Sequence, residues 1–380
     1  MASGAVLITG GSGFLAQHLI RYFQNNAANV ISEIRCVDRK KFAKLLDYPN
    51  VIPVKHFGID ITTDNQEQLD NALKGVSTVF HCAGKSFQYL HNLENNFHDE
   101  YFRDNLTATE LVLEAMERMR VPNLIFIGDA YANIPVGDNY GISEEMHSGI
   151  SKSFVLGAYG ESKIRAELKA RHAVQQKHDN GYAMKGVFLR PTIIYGEGQT
   201  NLTKAMLSLC KQYKTLPNIE GHNRGLHQFV YVGNLAGMMF KAMKGLLQNP
   251  QKLNGEYMYC MDSSPTVDFK NFIRPYIEAS NYRMNNDVKY MYAFCISLYH
   301  EICYRIGSKQ SEQQLSLMAM RFLFGWSIGF SPRKLRLLLD YSPEFGQVES
   351  MRRTVDWFGK KKDVIISERP RLASIDRNQG

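Results

Sequence analysis

Tyr159 and Lys163 stand four residues apart in the run Tyr159-Gly160-Glu161-Ser162-Lys163. On a helix that spacing puts a phenol and an ammonium on one face. A free tyrosine, with a pKa near ~10, is a poor base at neutral pH, but a nearby cation favours the phenolate. A phenolate so placed can take the proton of a carbinol while a hydride leaves for a nicotinamide. With twenty tyrosines in the chain, one such spacing is expected by chance. The alternative is an exposed Tyr beside a solvated Lys. The pair gains weight from its place, in a helix between a fifth and a sixth strand-like run.

The second constellation is Thr9-Gly10-Gly11-Ser12-Gly13-Phe14-Leu15-Ala16. It follows a compact β-rich run and opens an amphipathic helix, the context a dinucleotide turn requires. Gly10 permits the tight turn, and Gly13 lets the backbone approach a pyrophosphate. Ala16 takes the third small position, where helix packs on strand. Gly11, Phe14 and Leu15 complete the phosphate-facing segment. Free N–H groups and the positive dipole end of the helix would face the phosphates. Asp38, twenty-odd residues on, ends the second strand and suits an adenosine ribose, which favours NAD. Arg39 beside it could hold a 2′-phosphate, so NADP stays open.

The elements around these residues alternate. Ala5–Thr9, Glu33–Asp38, Val51–Phe57, Thr78–His81, Asn123–Ile127 and Gly186–Leu189 read as strands. Phe14–Asn25, Glu100–Arg120 and Tyr159–Lys177 read as helices. Near-continuous apolar strands alternating with helices predict an α/β fold: a doubly wound, parallel Rossmann sheet covered on both faces. Beyond Pro191 the rhythm breaks, with only a few strand-like runs such as Gln228–Val232 and Glu256–Cys260. We expect a core over 1–195, a smaller substrate-binding lobe over 196–360 interleaved with it, and a basic tail over 361–380.

Composition fits a folded chain with a large core. The 380 residues are 44% hydrophobic and 22% charged, which excludes a disordered chain or a small disulfide scaffold. The six cysteines show no CxxC pair and no His cluster has zinc spacing, so no metal is expected and the thiols read as reduced. Met1 to Ser12 runs almost directly into a strand and glycine turn, so no cleavable signal is read. The net charge is +8. Half of it falls after Met351, where Arg352, Arg353, Lys360, Lys361, Lys362, Arg369, Arg371 and Arg377 face Asp356, Asp363, Glu368 and Asp376. Such a tail attracts anionic surfaces or is simply solvated. No nucleic-acid motif accompanies it.

Taken together, the chain resembles an extended short-chain dehydrogenase/reductase, and most closely the 3β-hydroxysteroid dehydrogenase family. Beyond the two constellations, the matches are Gly58-Ile59-Asp60-Ile61, Val79 to Ala83, Asn105, Leu189 to Gly196, Phe229 to Ala236 and Val355 to Phe358. The resemblance implies that Asp60 and Ile61 flank an adenine and that His81, Cys82 and Ala83 line the cofactor. It makes Tyr159 the base, with Lys163 binding the nicotinamide ribose and lowering the Tyr pKa. Asn105 would hold a relay water or a backbone kink, and Pro191 to Ile193 would cover the nicotinamide. The implied substrate is a steroid or sterol-like alcohol oxidised at its 3β-hydroxyl. A homodimer and an intracellular placement, either endoplasmic-reticulum-associated or cytoplasmic, are further expectations.

One departure stands out. The family places a Ser or Thr after the fifth strand, whose hydroxyl bonds the substrate oxygen. Here the run is Ile127-Gly128-Asp129-Ala130-Tyr131-Ala132-Asn133, and no Ser or Thr lies between Asn123 and Gly141. An ionised Asp would repel a phenolate. A protonated Asp129, or the Tyr131 hydroxyl, could donate instead. The alternatives are therefore a catalytically impaired dinucleotide-binding protein or, through Arg190, Lys204, Lys211 and Arg224, a nucleotide-sugar epimerase or dehydratase. Finally, Tyr290–Tyr299 carries no charge and Leu315–Phe330 is rich in Phe and Trp. These two runs read as buried helices lining a pocket, or as a lip in contact with a membrane surface.

Overall fold

The computed structural model describes residues 4–63, 66–91, 97–146, 149–176, 181–220, 224–262, 266–306 and 313–360. In chain order the first elements are β1 (Gly4–Thr9), α1 (Phe14–Asn26), β2 (Ile31–Asp38), β3 (Val54–Gly58), α2 (Gln66–Leu73), β4 (Val76–His81), α3 (His98–Tyr101), α4 (Ala108–Arg118), β5 (Asn123–Ile127), β6 (Asn139–Ile142), α5 (Gly157–Ala173) and β7 (Lys185–Pro191). They are followed by β8 (Ile193–Tyr195), α6 (Asn201–Tyr213), β9 (Thr215–Glu220), β10 (Leu226–His227), β11 (Phe229–Tyr231), α7 (Val232–Gln248), α8 (Pro250–Leu253) and β12 (Tyr257–Cys260). The last are β13 (Val267–Asp268), α9 (Phe269–Ala279), β14 (Arg283–Lys289), α10 (Tyr290–Arg305), α11 (Leu317–Met320), β15 (Ile328–Phe330), α12 (Arg333–Leu339) and α13 (Gln347–Lys360).

Seven strands form one sheet in the order β12-β7-β5-β4-β1-β2-β3, every neighbouring pair parallel. The residues dictate this. Val6 to Thr9 of β1 and all five residues of β5 are buried, so these strands must be covered on both faces. One face is covered by α1 and α7, through Leu19, Ile20, Phe23 and Met239. The other is covered by α2, α4 and α5, through Leu69, Val112 and Ala166. This is the doubly wound α/β Rossmann arrangement. Its order reverses beside β1, with β2 on one side and β4 on the other. Sheets of this kind bind ligands at the carboxyl ends of the strands, at that reversal.

The C-terminal portion is threaded into this core. β12 returns to the sheet edge beside β7. A third apolar cluster joins Tyr131, Tyr159 and Ile193 to Phe229, Phe272, Phe322 and Phe358. The expected single helix over Glu100–Arg120 is α3 and α4 joined by a π-helical turn, Phe102–Thr107. Thr109 Oγ1, in the first turn of α4, donates back to the Asn105 carbonyl of that turn at 2.6 Å, a contact that favours local distortion of a helix.

The two late apolar runs separate. Phe322 and Phe324 are buried in a π-helical turn, Arg321–Gly325. α10, by contrast, buries only Ser297 and exposes Met291, Tyr292, Tyr299 and Ile302. The reading of two buried helices therefore fails for the first of them. One face, with Tyr290 and Ala293, packs against the core only in part, and the apolar residues of the opposite face are left exposed. Among the described residues no helix is long and apolar enough to cross a membrane. The tail over 361–380 lies outside the described residues. Of the basic residues counted with it, Arg352 pairs with Glu349 and Asp356, and Arg353 with Glu349, so part of that excess is locally balanced.

One buried ion pair sets the height of α5 against the sheet. Arg190 of β7 grips Glu167 of α5 with Nε and Nη2 at 2.8 and 2.6 Å, the side chains 3% and 1% exposed. Tyr257 lies 4.5 Å from the guanidinium. Gly128, at the end of β5, lies under the pair: a Cβ there would meet Glu167 Oε2 at 2.8 Å. Removing one partner of a buried pair leaves an uncompensated charge. Glu167→Gln should therefore cost about 3–5 kcal/mol, measured as a drop in the urea midpoint at unchanged slope. A loss below about 1 kcal/mol, the range of an exposed pair, would show that the pair is not holding α5.

Candidate active site

A cleft of about 700 Å³ opens at the carboxyl ends of the sheet, from the glycine turn to Phe322. At one end, Gly10 has φ +69°, and a Cβ on it would stand 3.0 Å from the Ala83 backbone. Only glycine suits that close approach. Gly13 is the residue before α1, in extended conformation, and leaves the helix N-terminus open toward the cleft. Gly11 does a different job: a Cβ there would strike Cys36 at 2.5 Å, so it lets the turn pack on β2. It does not line the cleft, whereas Gly10, Gly13, Phe14 and Leu15 do.

Asp38 and Arg39 also line the cleft, as do Asp60 and Ile61. Asp38 accepts Ser12 N–H at 3.0 Å and Lys40 N–H at 2.8 Å, which ties the end of β2 to the turn. Arg39 is already engaged. It donates to Asp104 Oδ2 at 3.0 Å and lies 3.7 Å from Asp60 Oδ2. Asp60 also accepts from Thr62 N–H and Oγ1; burial opposes its ionisation, but these bonds and Arg39 leave its carboxyl below the ordinary value.

On β4 the prediction divides. Cys82 and Ala83 line the cleft, but His81 is enclosed. Its ring lies between Thr9 Oγ1 at 2.9 Å and Thr109 Oγ1 at 3.0 Å. Burial, with Lys163 nearby, pushes it down to about 3, so it is neutral. His81 thus fastens β4 to β1 and α4 rather than facing a cofactor. Thr9, which sequence reasoning did not single out, is the hub: its hydroxyl also accepts Cys82 and Ala83 N–H, both at 3.1 Å. Nothing in a lone strand-ending Thr signals that role.

The reactive end is built by α5 and the segment after β5. Tyr159 Oη donates to Asp129 Oδ2 at 2.7 Å. Lys163, one turn on, donates to the Ile127 carbonyl at 3.0 Å. Asp129, not Ala130, is therefore the residue facing the phenol. Protein encloses its carboxyl except toward the cleft. Burial raises its pKa although Tyr159, the Tyr131 N–H, Lys163 and Arg190 all favour the anion. Tyr159 is pushed well above its ordinary value by burial and then by Asp129. Lys163 is lowered by burial. The expectation that Lys163 lowers the Tyr159 pKa thus needs correction: burial first, and then the Asp129 carboxylate, raise it.

Asn105 does not line the cleft. It sits on the π-helical turn, where its amide donates to Ser162 Oγ at 2.9 Å and accepts Lys85 N–H at 2.8 Å. Ser162 in turn donates to the Tyr159 carbonyl at 2.8 Å. Asn105 therefore braces α5 and the strand-following loop. Pro191 and Ile193 line the cleft. The wall around the phenol is aromatic. Phe87 and Tyr101 lie 5.7 and 5.5 Å from the Tyr159 ring, and Tyr131 packs on Phe322 at 4.9 Å. Phe87 and Tyr89 gave no periodic signal in the sequence because they lie in a loop. Of the four cations considered for a pyrophosphate, Lys204 lines the cleft and Arg190 is spent on Glu167.

The comparisons with known proteins bear on the family and the fold. The model of the 3-beta hydroxysteroid dehydrogenase/isomerase family matches residues 7–291. The 3 beta-hydroxysteroid dehydrogenase/Delta 5-->4-isomerase of Vaccinia virus (strain Copenhagen) is 27% identical over 361 residues, 92% of this chain and 97% of its own. The decarboxylating sterol-4-alpha-carboxylate 3-dehydrogenase of Candida albicans is 24% identical, over 94% of this chain and 98% of its own. Among solved structures, MoeE5 with UDP-glucose and NAD superposes with TM-score 0.66 at 18% identity, covering 94% of this chain and 99% of that one. UDP-glucuronic acid 4-epimerase from Bacillus cereus with NAD gives 0.64 at 16%, over 94% and 99%. At such identities these structures speak for the fold. The family match, spanning sheet, turn and reactive end, makes this chain a member of the 3-beta hydroxysteroid dehydrogenase/isomerase family.

Proposed function

We propose that the protein is an NAD-dependent oxidoreductase that oxidises the 3β-hydroxyl of a steroid or sterol-like alcohol. The observation that carries this reading is the position of the Tyr159 phenol. It lies in one cleft with a dinucleotide turn at one end and an aromatic wall at the other. A bound nicotinamide dinucleotide supplies the acceptor for the carbinol hydrogen and its electron pair. The backbone around Gly10 and Gly13 would hold its phosphates and Asp38 its adenosine ribose. Lys163 would bind the nicotinamide ribose, and Pro191 and Ile193 would cover the ring. Tyr159 takes the alcohol proton. The wall of Phe87, Tyr131 and Phe322, with the lobe of residues 196–360, would receive an apolar polycyclic body and exclude water from it. The names of the viral and fungal relatives support this substrate class.

A dinucleotide-binding protein without turnover is the second reading. Asp129, standing where a hydroxyl would polarise the substrate oxygen, is the observation that favours it. A nucleotide-sugar substrate fits less well, since Arg190 is locked in the core and the wall is aromatic.

Two experiments test the reading. Purified protein is given NAD or NADP and a panel of 3β-hydroxysteroids and 4-carboxysterols, with absorbance of the reduced cofactor as the readout. Turnover is expected with NAD, and Tyr159→Phe should lower kcat by about 10²–10⁴, the usual contribution of a general base, with NAD affinity kept. Tight NAD binding with no turnover of any alcohol would sink the enzyme reading. The second concerns cofactor choice. Because Arg39 is held by Asp104 and Asp60, NAD should bind more tightly than NADP. Asp38→Ala should then weaken NAD by about 10–100-fold, as expected for a charged hydrogen bond of about 1.5–3 kcal/mol, measured by fluorescence titration. Equal affinity of the wild type for NAD and NADP would contradict the assignment of Asp38 and Arg39.

A further inference from the structure

We propose that Asp129 and Tyr159 form a dyad holding a single proton, in which the Asp129 carboxylate is the final proton acceptor of the oxidation and the phenol relays the proton to it. This rests on the reading of the site as an alcohol oxidoreductase and specifies how that site titrates. Tyr159 Oη donates to Asp129 Oδ2 at 2.7 Å. Asp129 Oδ1 is taken by the Tyr131 N–H at 2.8 Å, which aims Oδ2 at the phenol. Both side chains line the cleft. No Ser or Thr between Asn123 and Gly141 offers a neutral hydroxyl instead.

The charges around the dyad decide its protonation. α5 presents Lys163 and Glu167, and β7 presents Arg190, which is neutralised by Glu167. Tyr89, Tyr101 and Tyr131 face it from the loop after β4, from α3 and from its own segment. His81 and Cys82, at the end of β4, lie beside Lys163. One negative charge on the dyad balances Lys163. A second would stand uncompensated in an enclosed site and is strongly disfavoured. The phenolate and the carboxylate therefore do not coexist, and the singly protonated dyad is the basic form.

The step balances as follows. As the carbinol C–H bond breaks, its hydrogen and electron pair leave to the oxidised nicotinamide. The alcohol O–H proton passes to Tyr159 Oη, and the phenol's own proton passes to Asp129 Oδ2. A ketone, a reduced nicotinamide and a dyad with two protons result. One proton then leaves through the open side of Asp129. The doubly protonated dyad cannot accept a proton, so oxidation falls as pH drops through the Asp129 ionisation. Burial sets that limb above the ordinary carboxylate value.

The test compares pH profiles of wild type, Asp129→Asn and Asp129→Ser at saturating NAD and 3β-hydroxysteroid. It adds a pH titration of the Tyr159 phenolate absorbance, taken as the difference from Tyr159→Phe in each background. Retained circular dichroism and NADH binding show that the variants fold. Asp129→Asn should lose about 10²–10⁴-fold in kcat near neutrality, the usual contribution of a general base. It should recover toward the phenol range near ~10, and its phenolate should appear at lower pH than in wild type. Asp129→Ser should work only with the same alkaline-shifted limb. A wild-type rate and profile in Asp129→Asn, or an unmoved phenolate titration, would overturn the dyad while leaving the oxidoreductase reading intact. If the wild type turns over no alcohol, that reading fails, and the phenolate titration still decides the dyad.

Discussion

A phenol cannot readily lose its proton when a carboxylate sits 2.7 Å from it in an enclosed site. The rest of this structure depends on that constraint. The carboxylate is placed by β5 and the turn after it, the phenol by α5, and the two meet because Arg190 and Glu167 fix α5 against the sheet. Asn105 adds a brace from α3 and α4 through Ser162. A shift of α5 by even a fraction of a helical turn would separate the pair. The most enclosed ion pair near the site therefore serves positioning as well as stability.

The same sheet explains why the glycine turn and the phenol share a cleft. Parallel strands bring their carboxyl ends to one edge, and the reversal beside β1 opens a crevice there. β1 ends in the turn and β5 leads into Asp129, with β4 between them. The C-terminal portion closes the other wall with the turn that carries Phe322, and sends β12 back to extend the sheet. α10 joins this closure through one face only, with Tyr290 and Ala293 against the core, and leaves Met291, Tyr292, Tyr299 and Ile302 exposed.

Much of this was legible in the residues because the information was local. Apolar runs of β1 and β5, the spacing of Gly10 and Gly13, and the four-residue step from Tyr159 to Lys163 all report on a few consecutive positions. What escaped depended on distant partners. His81 reads as a cofactor contact until Thr9 and Thr109 enclose it. Gly11 reads as a phosphate residue until Cys36 is seen behind it. The absence of a hydroxyl after β5 was visible at once. Whether Asp129 or Ala130 faced the phenol needed the register of β5 against α5, and the burial and carboxylate that raise Tyr159 needed distances in space. The uncharged run Tyr290–Tyr299 likewise pointed to α10 but could not tell a buried helix from a half-exposed one.

The central claim, transfer of a carbinol hydrogen to a bound nicotinamide, can be tested directly with label. A 3β-hydroxysteroid carrying deuterium on the carbinol carbon is incubated with the protein and NAD, and the cofactor is analysed by mass spectrometry. The account predicts deuterium in the reduced nicotinamide, together with a 3-ketone and a slower rate than with the unlabelled alcohol. Full retention of deuterium in the alcohol while NAD stays bound would contradict it and leave a protein that binds its cofactor without using it.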